Sequence, residues 1–297
     1  MHSRANTILL KKSSGIILWF LLAPYVMANT PPDGLSVVGL SDERWSVYVA
    51  EQGEWTRIDE VESPRTVAYH RTSGKLAFVG VDGRLRVREL SSGRTQELEK
   101  DSESSRFTQP HYSANGERLF AVELPGGKSR RTNIVGFNAV DNEKHLYVRK
   151  RTAQFQPFSD EDQFLYYTTA ICVDDCEGMI WELWRRSFLD GQQEQLTLMN
   201  ALANQPHVSR DGWLYFTSNK DNGRFHIWRM RPSVGAKTEQ ITSGEVRDSD
   251  PTTTPDGRLL FLRKTPEGSA IMQWNNGALT EIDTTGLNDM RNLDMGR

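Results

Sequence analysis

Gln205-Pro206-His207-Val208-Ser209-Arg210-Asp211-Gly212, followed by Trp213-Leu214-Tyr215-Phe216-Thr217-Ser218, is the stretch that decides the fold. Proline is compatible with the start of a strand, where no backbone donor is needed. Asp-Gly is typical of a tight turn, and the apolar run after it indicates a buried strand. The stretch therefore predicts a β-hairpin.

The same pattern recurs along the chain. Each copy carries an opening proline, a turn glycine or both. The prolines are Pro110, Pro157, Pro206 and Pro251, and the glycines are Gly74, Gly116, Gly212 and Gly257. Copies follow one another at intervals of about 45 residues, which is the length of four short strands with their turns. A second hairpin follows each copy, and six such hairpins lie between Tyr48 and Ile282. We therefore expect six four-stranded units.

Repeated four-stranded units without helical patterns predict an all-β fold, a six-bladed β-propeller of four-stranded antiparallel blades. The first unit begins with the strand-like segment at Leu35 and lacks an opening strand of its own. A closed ring hides strand edges that would otherwise be free to aggregate. We therefore expect part of residues 286–294 to pair beside the first unit, so that the C-terminal segment closes the ring.

Residues 1–28 differ from the rest of the chain. Arg4, Lys11 and Lys12 precede an apolar run over residues 16–27, and Ala28 is a small residue of the kind found at a cleavage site. This pattern predicts a signal peptide over residues 1–28, with the propeller over residues 29–297. An uncleaved N-terminal anchor is the alternative.

Charge and motifs exclude several function classes. The chain has 36 basic and 39 acidic residues, a formal net charge of −3, and no concentration of positive charge that would suit a nucleic acid. The sequence contains no Gly-x-Ser-x-Gly, no His-Glu-x-x-His and no phosphate-binding glycine loop. We therefore predict no catalytic residues.

The repeats resemble those of TolB-like propellers, which are relatives of WD repeats. The resemblance is carried by the Gln-Pro-His-x-Ser-x-Asp-Gly motif at 205–212, by Leu-Tyr-Phe-Thr-Ser-Asn at 214–219 and by Ile227-Trp228. It covers nearly all of the chain after residue 28 and implies the propeller fold, a periplasmic setting and partners among envelope proteins. TolB also has an α/β domain before its propeller, and here the predicted leader runs directly into the first blade.

The innermost strand of each propeller blade lines a central channel. The channel-lining candidates for binding are residues of the repeated motif, namely Gln109, His111, Gln156, Gln205, His207 and Asp250. We expect them to lie together at the axis although they are far apart in the sequence.

His111 and His207 are the strongest enzymatic candidates, since both occupy the third position of a Gln-Pro-His motif. TolB-like propellers include oligogalacturonate lyases, and this resemblance implies a metal site at such histidines. A metal site needs about three or four convergent ligands, however, and the aligned residues of other blades are Tyr69, Phe158 and Thr252. We therefore favour a structural histidine that bonds a neighbouring strand, and expect no metal or other cofactor.

Cys172 and Cys176 are the two cysteines of the chain. In an exported protein such a pair favours a disulfide, and the short loop between them can close if it turns sharply. A redox role is disfavoured because the neighbouring Asp174 and Asp175 would raise a thiol pKa.

Taken together, these features predict an exported, monomeric binding platform for an envelope protein or peptide. A carbohydrate-active enzyme that uses the channel histidines is one alternative. A ligand sensor on a retained N-terminal anchor is another.

Overall fold

The computed structural model describes residues 29–59, 61, 63–99, 106–126, 131–160, 163–172 and 178–296. These residues form 24 strands, named β1 to β24 in chain order. No helix in this part of the chain is long and apolar enough to cross a membrane. The predicted signal peptide over residues 1–28 lies outside the described residues.

The strands form six sheets, and each sheet is one blade of four antiparallel strands. Blade 1 contains β1 (Leu35–Ser41), β2 (Arg44–Glu51), β3 (Glu54–Ile58) and β24 (Asp289–Met295), and blade 2 contains β4 (Thr66–His70), β5 (Lys75–Val79), β6 (Leu85–Glu89) and β7 (Thr95–Glu97). Blade 3 contains β8 (Arg106–Tyr112), β9 (Arg118–Leu124), β10 (Asn133–Asn138) and β11 (Lys144–Arg149), and blade 4 contains β12 (Gln154–Asp160), β13 (Phe164–Cys172), β14 (Ile180–Ser187) and β15 (Gln193–Gln195). Blade 5 contains β16 (Ala203–Val208), β17 (Leu214–Ser218), β18 (His226–Met230) and β19 (Glu239–Gln240), and blade 6 contains β20 (Arg247–Thr253), β21 (Leu259–Thr265), β22 (Gly268–Asn275) and β23 (Ala278–Glu281).

The core lies between the blades, so a middle strand is buried on both faces. All five residues of β17 are buried, whereas the short outer strand β19 is partly exposed. Phe158 and Leu183 of blade 4 pack with Phe216 and Trp228 of blade 5 in one apolar cluster. Because each blade shares its apolar side chains with the next, a single blade could not shield them from water.

The ring closes through the C-terminal strand. β24 pairs antiparallel with β1, with Leu35 opposite Met295 and Val38 opposite Arg291. Met290, Leu293 and Met295 are buried against blade 1. The inner strands then contact one another in the order β24, β4, β8, β12, β16, β20 and back to β24. The expected six-bladed propeller, closed by its C-terminal segment, is confirmed.

Candidate functional site

The inner strands carry a β-bulge at the same level in five of the six blades. The strand pairing shifts register at this point in blades 1, 3, 4, 5 and 6, and runs without a shift in β4 of blade 2. One residue at each bulge has a left-handed backbone conformation, with φ between 51° and 55°. In chain order these residues are Gln109, Gln156, Gln205, Asp250 and Asn292. A bulge turns the local peptide out of the sheet, so the N–H of this residue can face the neighbouring blade.

The repeated proline belongs to this bulge. Pro110 and Pro206 lie inside β8 and β16, after the bulged glutamine, and do not open these strands as the sequence suggested. Proline lacks a backbone donor and is tolerated in a sheet where a bulge interrupts the ladder. In these strands a Gln-Pro pair in the sequence therefore marks the position of the bulge at the channel.

The bulged residues link neighbouring blades at five of the six junctions through hydrogen bonds that we call the channel girdle. The N–H of Gln156 donates to Oε1 of Gln109 (2.8 Å), the N–H of Gln205 to Oε1 of Gln156 (3.0 Å), and the N–H of Asp250 to Oε1 of Gln205 (3.0 Å). The same pattern continues on the other side of the ring. The N–H of Gln109 donates to Oγ1 of Thr66 (3.2 Å), and that of Val67 to Oδ1 of Asn292.

Buried threonines support two of the girdle glutamines. The Thr168 hydroxyl donates to Oε1 of Gln156 (3.1 Å), and the Thr217 hydroxyl to Oε1 of Gln205 (2.8 Å). The carboxamide oxygen of Gln205 therefore accepts two hydrogen bonds. The side-chain N–H groups of Gln109 and Gln156 have no acceptor within the described residues and are available to a ligand in the channel. The side chain of Gln205 hydrogen-bonds the carboxyl group of Asp250.

A second layer of side chains lies two residues further along each inner strand. The imidazole of His111 stacks against the ring of Phe158, and Phe158 against His207, with both centroid distances 4.6 Å. His207 also bonds blade 6, where its Nε2 accepts the N–H of Thr253 (3.1 Å) and contacts the Thr253 hydroxyl (2.8 Å). The structural interpretation of His207, a histidine that bonds a neighbouring strand, is therefore confirmed.

This layer does not assemble a metal site from the two histidines. Phe158 lies between His111 and His207, and Nε2 of His207 already accepts a backbone hydrogen bond. The parts of the chain that the structure describes contain no group of three or more His, Cys, Asp or Glu side chains that could hold an ion.

The channel cavity has a volume of ≈ 160 Å³ and is lined by residues from all six blades. It contains two acidic side chains, Asp250 and Asp294, and no lysine or arginine. Burial raises the pKa of Asp250, although hydrogen bonds from Ser249 and Gln205 oppose the shift. The carboxylate of Asp294 accepts the N–H of Tyr69 (2.9 Å). The cavity therefore offers amide donors and carboxyl acceptors at fixed positions.

All six predicted channel residues line this one cavity, as their repeat position suggested. Sequence reasoning missed Thr66, Asn292 and Asp294, which line it as well. Asn292-Leu293-Asp294 aligns with Asp250-Pro251-Thr252 but lacks the proline, and proline was the signal that marked the other copies.

The predicted disulfide cannot be placed on this fold. Cys172 is the last residue of β13, and Cys176 lies outside the described residues. The pairing of the two cysteines therefore stays a prediction.

No protein-family model and no curated protein matches the chain. Solved structures do match. TolB from Acinetobacter baumannii superposes with a TM-score of 0.69 at 11% identity, over 90% of this chain and 68% of that chain. A structure described as TolB from Agrobacterium tumefaciens superposes with a TM-score of 0.62 at 15% identity, over 83% of this chain and 87% of that chain. The fold is that of a TolB-like six-bladed propeller.

This fold alone does not decide between binding and catalysis. An oligogalacturonate lyase from Vibrio parahaemolyticus also superposes on the TolB-like propeller, with a TM-score of 0.57 at 9% identity over 85% of this chain and 80% of that chain. The choice between a scaffold and an enzyme therefore depends on the side chains in the channel.

Proposed function

We propose that this protein is an exported, periplasmic scaffold without catalytic activity, which binds an extended segment of an envelope protein or peptide at its channel. The observation that carries this proposal is the cavity with its girdle. It presents the unused amide N–H groups of Gln109 and Gln156 and the carboxyl groups of Asp250 and Asp294 in one rigid ring. An extended peptide needs this combination, because its backbone presents both acceptors and donors.

Rigidity favours binding here. The girdle residues are fixed by contacts between blades, so a ligand does not have to order them, and the entropic cost of association falls. The resemblance to TolB and the predicted leader over residues 1–28 support the periplasmic setting. The phenyl ring between the two histidines argues against the carbohydrate-active alternative.

One mouth of the channel is suited to a crosslinking test. Thr72 and Arg210 are exposed residues of a second cavity, of ≈ 240 Å³, which shares His207 with the channel. A photoreactive amino acid at either position should capture one discrete partner in the native cell envelope. The matched control places the same photoreactive residue at Gln96, which is exposed on the outer strand of blade 2.

Capture from the channel mouth and not from Gln96 would support the scaffold. Equal capture at both places, or none from the mouth, would refute it. Export is tested separately by the intact mass of the secreted protein, which should correspond to a mature chain that begins at Asn29. A full-length chain in the cytoplasm would refute the periplasmic assignment.

A further inference from the structure

A second groove, which shares Asp250 with the channel cavity, lies where blades 5, 6 and 1 meet. Its volume is ≈ 390 Å³, and it is lined by the aromatic rings of Trp45 and Phe225 and by the apolar side chains of Leu262 and Met290. We call it the arginine groove because Arg247 and Arg291 line it as well. Its volume falls in the range of ligand pockets, which is roughly 300–1,000 Å³. The groove opens at the end of the propeller where β20 and β24 begin.

The acidic side chains of this groove are largely neutralised by partners. Lys264 pairs with Asp289 (2.9 Å), and Asp289 also accepts the Ser269 hydroxyl (2.5 Å). Arg263 binds both carboxylate oxygens of Asp248 (2.8 and 3.0 Å). These carboxylates therefore form their direct ion pairs with Arg263 and Lys264 and not with the remaining cations of the groove.

Two arginines in the groove have no carboxylate partner among the described residues, Arg247 and Arg291. Both lie over aromatic rings. The guanidinium carbon of Arg291 is 4.1 Å from the ring centroid of Trp45, and that of Arg247 is 5.6 Å from the ring centroid of Phe225. Stacking of this kind orients the planar group and leaves its edge free to donate hydrogen bonds.

The charge of Arg291 is only partly compensated by its surroundings. Burial and the neighbouring charge of Arg65 lower the pKa of Arg291, although the charge of Asp289 opposes the shift. Nη2 of Arg291 donates a hydrogen bond to the carbonyl oxygen of Pro64 (2.8 Å), which is a neutral acceptor. Asp250 also borders the groove, and burial raises its pKa. An anion in the groove would add negative charge beside Arg291.

We propose that the arginine groove is an oxyanion-binding site, in which Arg247 and Arg291 hold a carboxylate or phosphate group carried on an aromatic or apolar body. A guanidinium edge matches the two oxygens of either group, and charge-assisted bonds of this type are stronger than neutral ones. The body of the ligand would lie against Trp45, Phe225, Leu262 and Met290. The site does not depend on the channel or on a partner protein.

Ligand-observed NMR on the whole protein can test the site with small probes. Benzoate represents the carboxylate source, phenyl phosphate the phosphate source, and benzyl alcohol serves as the uncharged control. At least one anionic probe should bind saturably, with a dissociation constant in about the millimolar range expected for so small a ligand. The stronger of the two anions then identifies the source.

Substitutions separate a specific site from general attraction to positive charge. R247Q and R291Q should each weaken binding by about tenfold, the usual effect of losing one charge-assisted hydrogen bond. R291K retains the charge and loses the planar fork, and it should weaken binding as well. R224Q is the matched control, because Arg224 is an exposed arginine near the groove that is paired with Glu245.

Arg247 is exposed, so R247Q should leave the melting temperature unchanged. R291Q also loses the hydrogen bond to Pro64, and R247Q suffices if R291Q does not fold. Two results would overturn the proposal. One is the absence of saturable binding of either anion by the native protein, and the other is an equal loss of binding in R224Q. Failure of the crosslinking experiment at the channel would leave this site unaffected.

Discussion

Replacing Gln205 by leucine tests whether the channel girdle stabilises the ring. Oε1 of Gln205 accepts the N–H of Asp250 in the next blade (3.0 Å) and the hydroxyl of the buried Thr217 (2.8 Å). Leucine has nearly the same shape and no acceptor. Both residues are unfavourable in the left-handed region that position 205 occupies, with φ at 55°, so the comparison isolates the carboxamide.

The expected loss follows from the two donors that lose their acceptor. Each neutral hydrogen bond contributes about 0.5–1.5 kcal/mol, and a buried donor left unsatisfied costs about 1–3 kcal/mol. Gln205 is half-buried, and water in the channel can reach the Asp250 N–H in part. We therefore expect Q205L to lower the free energy of unfolding by about 2–3 kcal/mol. For a chain of this size that corresponds to a melting temperature lower by about 5 °C.

Thermal and guanidinium unfolding, followed by circular dichroism, would measure the change. Q96L is the matched control, because Gln96 is exposed on an outer strand and its side chain makes no hydrogen bond to a described residue. It should differ from the native protein by less than about 0.5 kcal/mol. If Q205L is as stable as Q96L, the girdle hydrogen bonds contribute nothing beyond what channel water supplies, and the argument for a rigid channel fails.

Three further predictions concern closure, pH and a buried ion pair. Deleting residues 289–297 removes β24 with the buried Met290, Leu293 and Met295, so the protein should lose its cooperative unfolding transition. A retained transition would contradict ring closure by this strand. Because folding raises the pKa of Asp250, its carboxyl group destabilises the folded protein as pH rises through the folded pKa. D250N should therefore be more stable than the native protein at pH 7, and this gain should disappear below the ordinary carboxyl pKa of 3.8. A gain that is equal at about pH 3 and 7 in urea titrations would contradict this. R263M leaves the fully buried Asp248 without its bidentate partner and should cost about 3 kcal/mol in the same assay, whereas R224Q, which breaks an exposed pair, should cost less than about 1 kcal/mol.

The fold could be predicted from the sequence because propeller repeats are local. Asp211-Gly212 and the apolar run after it specify a hairpin within about a dozen residues, and this unit recurs. Closure could be predicted as well, because the first blade lacked an inner strand and the C-terminal tail was available. The role of the proline was misjudged, since a bulge inside a strand and the start of a strand both tolerate a missing N–H.

The channel residues could be predicted as a set, but their interactions could not. Repeat position placed Gln109, Gln156 and Gln205 at the axis, where the structure also has them. That each carboxamide oxygen accepts the N–H of the next blade depends on the bulge geometry, which no single repeat encodes. The arginine groove was not predicted, because Trp45, Phe225 and Arg291 lie far apart in the sequence and meet only through the contact of different blades.

The sequence by itself determined the strand pattern, the number of blades and the residues that face the axis, since turn chemistry and hydrophobic alternation act over a few neighbouring residues. Only the tertiary structure decided which side chains meet between blades. The ring brings residues separated by more than 200 positions into contact, such as Val67 with Asn292 and Arg291 with Pro64. The position of Phe158 between the two histidines arises in the same way, from the packing of separate blades around one axis. So does the placement of Arg247 and Arg291 without a direct carboxylate pair among the described residues.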